Sequence, residues 1–236
     1  MSENKDSLYI VMPAYNEEAN IEQTVRDWYP LLKGPGSKLI VADSGSSDAT
    51  HEILERLQKE FEHLEILTDC DRQHGPKVMA LYKKAVTEGA DFVFQTDSDG
   101  QTNPAEFKAF WNNRNNCDGI FGNRTVRGDG KDRAFVEVVV CILLRIFFGV
   151  KVPDANAPFR LMKVSTLAKY IDRLPEDYFL PNIMMTTYFV YYKERYSFRT
   201  ISFKPRSGGK NSINLPRIIQ IGWKALGDFY RLRKAM

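Results

Sequence analysis

Short apolar runs and amphipathic stretches alternate along the first hundred residues of the chain. Four apolar runs predict strands at residues 8–12, 39–42, 64–67 and 92–96. Between them, apolar side chains recur at helical spacing, which predicts helices at 17–32, 48–61 and 76–88. Strands that alternate with helices through short connections indicate an α/β fold, with a mostly parallel central sheet flanked by helices. In such sheets, ligands bind beyond the carboxyl ends of the strands.

The pattern changes in the second half of the chain. Residues 135–150 are almost continuously apolar, but the run is shorter than the ~20 residues that a membrane-spanning helix needs, and Arg145 would be costly within a bilayer. This run predicts either a core helix or a helix that lies at a membrane interface. Residues 214–236 mix basic side chains with apolar ones, Trp223 and Tyr230 among them. That mixture predicts a basic amphipathic helix, either packed on the protein or bound at a membrane surface.

Charge is unevenly distributed along the 236 residues. From Lys204 to the end there are eight basic residues and one acid, a charge of +7, whereas residues 1–203 carry 25 basic and 29 acidic residues, a charge of −4. A basic tail suggests an anionic partner, although a solvated helix face has the same composition. The three cysteines form no C-x-x-C pair, and the N-terminal residues lack the pattern of a secretory signal. We therefore expect an intracellular protein without a disulfide framework or a thiolate zinc site.

Two carboxylates follow the fourth predicted strand in the segment F-V-F-Q-T-D-S-D-G-Q. Asp97 and Asp99, two positions apart, could share one hard divalent cation that also binds phosphate oxygens. Gln101 adds an amide oxygen two residues further on. The alternative is a polar turn before a helix that residues 103–106 are suited to start. The position at a strand end favours the metal site.

Asp43 follows the second predicted strand in the segment V-A-D-S-G-S-S-D. At a strand end beside a Gly/Ser turn, its carboxylate could accept a hydrogen bond from a ligand, or it could form an Asx turn that starts the next helix. Neither a G-x-G-x-x-G nor a G-x-x-x-x-G-K-[ST] motif occurs, which argues against dinucleotide-binding and P-loop proteins. The histidines lack metal-ligand spacing, but His74 lies in the loop 72–77, near where a diphosphate could bind.

Arginines are spread through the second half of the chain. The planar guanidinium group suits phosphate, although scattered arginines are usually solvated surface residues. The candidates are Arg124, Arg133, Arg160 and Arg206.

Five segments, in order along nearly the whole chain, resemble motifs of glycosyltransferase family 2. Within that family, they are most similar to the polyprenyl-phosphate sugar transferases typified by dolichyl-phosphate mannose synthase. The segments are V-M-P-A-Y-N-E-E-A-N-I, V-A-D-S-G-S-S-D-A-T, T-D-S-D-G-Q-T-N-P-A-E, D-A-N-A-P-F-R-L-M and F-K-P-R-S-G-G-K-N-S. The resemblance implies a GT-A type fold, with a catalytic domain over residues 1–212 and a basic amphipathic helix over 213–236.

The resemblance also implies roles for individual residues. It assigns donor binding to Pro13, Tyr15, Glu17, Asp43, Lys77 and Asp97, with Asp43 reading the base. It assigns Mg²⁺ or Mn²⁺ binding to Asp97, Asp99 and Gln101. It assigns the acceptor phosphate to Arg124, Arg133 and Arg206, and catalysis to Asp99, Arg124 and Arg206. Two positions depart from the pattern: Ser44 replaces a second aspartate, and Glu137 stands where the lipid-phosphate subgroup tends to have serine.

The implied activity is inverting transfer of a sugar from a UDP- or GDP-sugar to undecaprenyl or dolichyl phosphate. A lipid phosphate is already anionic, so that it needs positioning by cations rather than a general base. The implied location is the cytoplasmic face of a membrane, with peripheral attachment through the 135–150 helix or through a small separate membrane subunit. No nucleic-acid partner is expected.

Two other functions remain open on the sequence alone. The first is transfer to a sugar hydroxyl in polysaccharide synthesis, for which Asp177 would be the candidate base, although it could equally be an ordinary loop residue. The second is a nucleotide or nucleic-acid binding module that uses the basic tail, which would leave the D-S-D-G-Q segment without a role.

Overall fold

The computed structural model describes residues 5–127, 131–205 and 215–236. Its strands are β1 (Leu8–Ala14), β2 (Lys38–Asp43), β3 (Leu64–Leu67), β4 (Phe92–Thr96), β5 (Gly119–Arg127), β6 (Phe159–Lys163) and β7 (Tyr196–Phe203). Its α-helices are α1 (Ile21–Trp28), α2 (Thr50–Glu60), α3 (His74–Thr87), α4 (Phe107–Asn112), α5 (Lys131–Phe148), α6 (Val164–Leu167), α7 (Pro181–Tyr191) and α8 (Leu215–Lys234). Short 3₁₀ turns cover Tyr29–Leu31, Pro104–Glu106 and Ile171–Arg173.

The seven strands form one sheet in the order β3-β2-β1-β4-β6-β5-β7. Strands β1 to β4 pair in parallel, and β5 and β7 are parallel to each other. β6 runs antiparallel to both of its neighbours, β4 and β5. The predicted α/β fold with a mostly parallel sheet and flanking helices is therefore confirmed.

The first four strands lie where the apolar runs predicted them. The first helix is shorter than the predicted 17–32, because Asn16 adopts a left-handed backbone conformation (φ 54°) and the chain turns before Ile21. It ends in the 3₁₀ turn at Pro30, which cannot donate a backbone hydrogen bond. Asp48 precedes α2 and accepts a hydrogen bond from the Thr50 backbone N–H at 3.0 Å.

The core consists of one apolar layer on each face of the sheet. Along β1, Leu8, Ile10 and Met12 face one layer, while Tyr9 and Val11 face the other. Such alternation on a strand that is buried on both faces explains why its sequence is a continuous apolar run. Aromatic rings fill the first layer and contact one another, with Trp28 and Phe94 stacked at 5.2 Å between centroids. Burial of this kind holds the strands in register and so fixes where their carboxyl ends lie.

The apolar run near residue 140 forms α5, which has one buried and one exposed face. Leu144 and Phe148 are buried, and Phe148 lies 5.7 Å from Phe229 of α8 between ring centroids. On the opposite side, the side chains of Phe135 and Ile146 are 70% and 71% exposed. The sequence predicted either a core helix or an interface helix. α5 instead has both a face buried in the core and an exposed apolar face. Within residues 5–127, 131–205 and 215–236, no helix is both long and apolar enough to span a bilayer.

Candidate active site

Three of the motif segments meet at one edge of the sheet. β1 lies between β2 and β4, so that the segments following these three strands are neighbours. The strand register places Ala14 beside Asp43 and Val11 beside Gln95. Because β6 is antiparallel, the residues that precede it also reach this edge, and Thr96 pairs with Phe159. The carboxyl ends of β5 and β7 complete the edge.

Short hydrogen-bonded side chains join these loops to one another. The Asn16 backbone N–H donates to Ser46 Oγ at 3.0 Å, and the Glu17 backbone N–H donates to Thr50 Oγ1 at 2.8 Å. Ser98 is buried and donates its hydroxyl to the Pro13 carbonyl oxygen at 2.8 Å. Pro13, near the end of β1, and Glu17, in the loop that follows, are predicted donor residues, and side chains from two sides therefore fix the backbone there.

Asp43 is almost fully buried, with 2% of its surface exposed. Ser46 Oγ donates to its Oδ1, and His51 Nδ1 lies 2.9 Å from its Oδ2. The carboxylate is therefore held in one orientation at the end of β2. Its predicted role in reading the base remains a prediction, in which a ligand N–H group would share a carboxylate that Ser46 and His51 already orient.

Tyr15 presents an exposed aromatic ring between two cationic side chains. The Arg72 guanidinium lies 5.9 Å from the ring centroid, and Lys77 Nζ lies 5.3 Å from it. Arg72 also donates to the Gly45 carbonyl oxygen at 3.2 Å. Gly45 has φ of +75°, and a Cβ at this position would collide with the Arg72 side chain. An aromatic platform beside a guanidinium suits a nucleobase or a diphosphate. The sequence analysis did not single out Arg72, although a basic residue in the loop after β3 was a signal for it.

Lys77, a predicted donor-binding residue, is buried at 1% exposure. Its Nζ donates to the Ala14 carbonyl oxygen and so holds the end of β1. Burial lowers the pKa of Lys77, and the nearby Asp43 carboxylate partly offsets that decrease. Its direct contact with a donor remains a prediction. In this structure its visible role is to fix the loop that carries Tyr15.

The two predicted metal-binding carboxylates lie at the end of β4. Asp97 Oδ1 accepts from Gln95 Nε2 at 3.1 Å and lies 3.2 Å from His74 Nε2. The Gln101 backbone N–H donates to Asp99 Oδ1 at 3.1 Å, which forms a tight turn. The Gln101 side-chain amide donates to the Lys204 carbonyl oxygen at 2.7 Å, so that only its Oε1 could serve as a metal ligand.

These residues fit a cation that is shared with phosphate rather than one enclosed by protein. Among the residues that the structure describes, no cluster of three His, Cys, Asp or Glu side chains is arranged to hold a metal ion. Two carboxylates and an amide oxygen leave coordination positions that phosphate oxygens can fill. The pKa of His74 is raised, because the hydrogen bond to Asp97 and the charges of Asp97 and Asp99 outweigh the desolvation that opposes protonation.

Arg124 belongs to a buried ionic cluster at the carboxyl end of β5. It donates to Asp154 through Nε at 2.7 Å and through Nη2 at 2.9 Å, and its Nη2 lies 3.4 Å from Glu137 Oε2. The sequence analysis noted Glu137 only as a departure from a family pattern and did not identify Asp154. The predicted phosphate contact of Arg124 is untested. Arg133 lies at the start of α5, and Arg206 lies outside the described residues.

Arg160 was a candidate phosphate ligand, and that prediction is wrong. Its side chain is fully buried. It donates to the backbone carbonyl oxygens of Ala157 at 2.9 Å, Asn182 at 2.8 Å and Ala155 at 3.3 Å, and to Thr186 Oγ1 at 3.2 Å. Arg160 therefore joins the loop before β6 to the start of α7, and no ligand can reach it.

Asp177, the candidate base for a hydroxyl acceptor, is exposed in the loop 175–180. That loop packs so closely against the first turn of α3 that a Cβ on Gly75 would collide with the Phe179 carbonyl oxygen. Asp177 therefore lies on the loop that covers the helix carrying His74.

A sheet of this topology, with an aspartate pair at the end of a central strand, is typical of GT-A type nucleotide-sugar transferases. The solved structure of glucosyl-3-phosphoglycerate synthase from Mycobacterium tuberculosis, with Mn²⁺, UDP-glucose and phosphoglyceric acid, superposes with a TM-score of 0.69. The match covers 97% of this chain and 80% of that one at 17% identity, and so establishes the shared fold.

The chain belongs to glycosyl transferase family 2, whose sequence model matches residues 9–165. Among its relatives is UDP-N-acetylglucosamine–dolichyl-phosphate N-acetylglucosaminyltransferase of Methanococcus voltae, 29% identical over 41% of this chain and 43% of that protein. Another is undecaprenyl-phosphate mannosyltransferase of Micrococcus luteus, 23% identical over 66% of each chain. The matches thus span less than two thirds of the length of either relative.

Proposed function

We propose that this chain is an inverting glycosyltransferase that moves a sugar from a UDP- or GDP-sugar to a polyprenyl phosphate at a membrane surface. The observation that carries the proposal is the position of the site: Asp43 ends β2, and Asp97 and Asp99 follow β4, on either side of β1 at the sheet edge that the carboxyl end of β5, with its ionic cluster, also reaches. Donor and acceptor sites would then adjoin, and the acceptor would arrive along an exposed apolar helix. The two polyprenyl-phosphate relatives support this acceptor class.

The donor would bind across the ends of β1, β2 and β4. Its base would reach Asp43 and the Tyr15 ring, and its diphosphate would lie near Arg72. Asp97, Asp99 and Gln101 Oε1 would hold Mg²⁺ or Mn²⁺, which supplies Lewis-acid stabilisation of the leaving nucleoside diphosphate.

The acceptor phosphate would need more positive charge than the buried cluster offers. Arg124 already donates to Asp154 and lies near Glu137, so that its charge is engaged by carboxylates. We therefore expect Arg133 and Arg206 to supply the charge that attracts and orients the lipid phosphate. An acceptor that is already ionised needs no base, which is consistent with a site whose carboxylates are paired.

The exposed face of α5 supports docking on a membrane. Phe135, Val138, Val139, Ile142 and Ile146 form an exposed apolar stripe. Beside it lies an open groove of about 200 Å³, lined by Val138, Cys141, Ile142, Arg145, Lys151, Val152 and Pro153. Two cations that flank an apolar surface suit anionic lipid headgroups above acyl chains. We further propose a catalytic domain over 1–212, a basic helix over 213–236, and attachment to the cytoplasmic face of the membrane, either peripherally or through a small membrane subunit.

The transfer reaction is tested with radiolabelled UDP- and GDP-sugars, Mn²⁺ and a short polyprenyl phosphate, by extracting product into organic solvent. We expect Asp99→Ala and excess EDTA each to abolish transfer. Arg206→Ala should lose roughly 10- to 150-fold, because a charge-assisted contact to phosphate contributes about 1.5–3 kcal/mol. Full activity in EDTA, or no transfer to any polyprenyl phosphate, would refute the proposal.

Membrane docking is tested separately by vesicle co-sedimentation. Ile142→Gln and Ile146→Gln should each weaken binding, since each removes exposed apolar surface from the stripe. Tyr196→Gln, which removes an exposed aromatic side chain from β7, is the matched control and should bind as the unmodified protein does. Equal binding by all variants would exclude α5 as the docking surface.

A small phosphorylated acceptor is the second candidate, because the structural neighbour from M. tuberculosis was crystallised with phosphoglyceric acid. Its hydroxyl would need a base, for which Asp177 is available in the exposed loop over α3. A true general base contributes about 100- to 10,000-fold. If Asp177→Asn were inactive while Asp172→Asn and Arg206→Ala were near normal, the hydroxyl acceptor would replace the lipid phosphate.

A further inference from the structure

A chain of buried polar side chains leads from the protein interior to Asp97. Gln95 Nε2 donates to Asp97 Oδ1 at 3.1 Å, and Gln95 Oε1 accepts from Asn182 Nδ2 at 3.0 Å. Asn182 Oδ1 accepts from the Tyr82 hydroxyl at 2.9 Å. Gln95, Asn182 and Tyr82 are all buried, and they belong to β4, α7 and α3, respectively. Three elements of the fold therefore converge on one carboxylate.

The direction of every hydrogen bond in this chain follows from the ionised state of Asp97. A carboxylate only accepts, so Gln95 must turn its NH₂ group towards Asp97 and its oxygen towards Asn182. Asn182 must then present its NH₂ group to Gln95, which leaves its oxygen facing Tyr82. Tyr82 must donate, and burial raises the pKa of its hydroxyl, which keeps the proton available. Only one arrangement of the two amides satisfies all three contacts.

The start of α7 is fixed independently of this chain. The Asn182 carbonyl oxygen accepts from Arg160 Nη1 at 2.8 Å, and Arg160 is itself fully buried. Polar groups in a core are costly unless they are paired, and a fully satisfied network is rigid. The position of the Asn182 side chain is thus set by the core, and Gln95 transmits that position to the site.

We propose that Gln95, Asn182 and Tyr82 are positioning residues that hold the Asp97 carboxylate in the orientation that binds the divalent cation. This inference rests on the proposed function, in which Asp97 is a metal ligand. In the described part of the chain, Gln95 and His74 both contact Oδ1 of Asp97, which leaves Oδ2 to face the cation. Hydrogen-bond partners of metal ligands typically change metal affinity by about 10- to 100-fold.

The test measures Mn²⁺ binding by electron paramagnetic resonance, in the presence of whichever of UDP or GDP the protein binds more tightly. Tyr82→Phe removes only the hydroxyl that orients Asn182, and we expect it to weaken Mn²⁺ binding by roughly 10-fold. The matched control is Tyr9→Phe, which removes a comparable hydrogen bond from a buried tyrosine to Glu88 at 2.8 Å. Nucleotide affinity in EDTA should be the same in both variants, whereas general loosening of the fold would reduce it in Tyr82→Phe.

Gln95→Met is the second variant, and it serves as the test if Tyr82→Phe does not fold. It keeps a side chain of similar length without adding charge but removes the hydrogen bonds to Asp97 and Asn182, and we expect at least as large a loss of Mn²⁺ affinity. If the unmodified protein binds no Mn²⁺ with either nucleotide, the proposed function fails, and this inference fails with it. If the unmodified protein binds Mn²⁺ and the folded Tyr82→Phe or Gln95→Met variant binds it equally well, the inference alone is overturned.

Discussion

Ser98 shows how a single residue between two predicted metal ligands shapes the candidate site. Asp97 and Asp99 on either side of it are partly exposed, while Ser98 itself is buried. Its hydroxyl donates to the Pro13 carbonyl oxygen, and its own carbonyl oxygen accepts from Thr24 Oγ1 at 3.2 Å. The turn that carries both carboxylates is therefore anchored to β1 and α1.

We expect Ser98→Ala to lower the free energy of unfolding by about 1–3 kcal/mol, because the Pro13 carbonyl oxygen would lose its donor. Mn²⁺ affinity should fall as well, since the turn would lose an anchor. Ser37→Ala is the control, because Ser37 is equally buried, accepts from the Leu8 backbone N–H at 2.8 Å and lies at the other end of β1. Chemical denaturation and Mn²⁺ titration of both variants check this. Unchanged metal affinity in Ser98→Ala would contradict the anchoring role.

Asp118 lies away from the candidate active site, and its ionisation makes the free energy of unfolding depend on pH. The hydrogen bonds from Arg195, at 2.8 and 3.1 Å, lower the pKa of Asp118 to about 2 from its usual 3.8. Its contribution is therefore complete above about pH 4 and is lost as the pH falls through about 2. Asp118→Asn should lose on the order of 1 kcal/mol at pH 7, and most of the difference should be gone at pH 2.

Denaturation across this pH range measures the effect of Asp118. In a double-mutant cycle, Arg195→Gln should remove most of the same stabilisation. A difference between Asp118→Asn and the unmodified protein that persisted at pH 2 would assign the stabilisation to something other than charge.

Residue types in the motifs predicted which side chains meet, but not how deeply each one is buried. The sequence analysis placed the carboxylates of Asp43, Asp97 and Asp99 at the ends of the second and fourth predicted strands, and the structure brings these strand ends to one edge. Lys77 and Arg160 are buried instead, since their hydrogen-bond partners are backbone carbonyl oxygens distant in sequence. A motif does not reveal such partners, because every residue supplies a carbonyl oxygen.

The elements of the first half of the chain were predictable because each strand is a short apolar run. The sequence analysis did not predict the three strands of the second half, β5, β6 and β7. β6 is five residues long and contains Arg160, which looks like a surface residue, and most of β7 is only partly buried. α7 is buried along nearly its whole length and so lacks the polar face that identifies an amphipathic helix. These elements depend on contacts across the sheet rather than on a local pattern.

The contact between helix α3 and the loop 175–180 leaves no room for a larger side chain at Gly75. A Cβ on Gly75 would collide with the Phe179 carbonyl oxygen and lie 2.7 Å from that of Tyr178. Gly75→Ala should therefore destabilise the protein by about 1–3 kcal/mol, as overpacking does. Gly227→Ala in α8 is the control, because it meets nothing within 4 Å and should stabilise the helix by up to about 1 kcal/mol. Thermal unfolding compares the two, and a neutral Gly75→Ala would show that the loop can move away.

At the scale of the whole molecule, α8 is the helix of the basic tail, and it has both buried apolar residues and exposed basic residues. Ala225 and Phe229 of α8 are buried, whereas Lys224, Arg231 and Lys234 are exposed. The two alternatives that the sequence left for this helix are therefore compatible with each other. One face packs on α5, while the exposed cations lie where an anionic surface can reach them.

Replacing Lys224, Arg231 and Lys234 with Gln should weaken binding to anionic vesicles by about 100-fold at low salt, since each cation near such a surface contributes roughly 1 kcal/mol. The control replaces the exposed Lys59, Lys108 and Lys193, which gives the same net charge. Co-sedimentation at rising salt should bring the unmodified protein down to the level of the tail variant. An equal loss in both variants would mean that net charge alone governs binding.

The position of β1 in the interior of the sheet, between β2 and β4, has a consequence for how the protein is made. All seven of its residues are buried, yet one of its two partner strands, β4, begins only at Phe92. A ribosome that adds about 5–20 residues per second needs roughly 4–16 s to make the roughly 80 residues between them. During that interval, β1 exposes an apolar edge that a chaperone could cover. Force measurements with translation-arrest peptides should detect no folding of nascent chains that end before Phe92, and an earlier signal would show that β1 to β3 assemble alone.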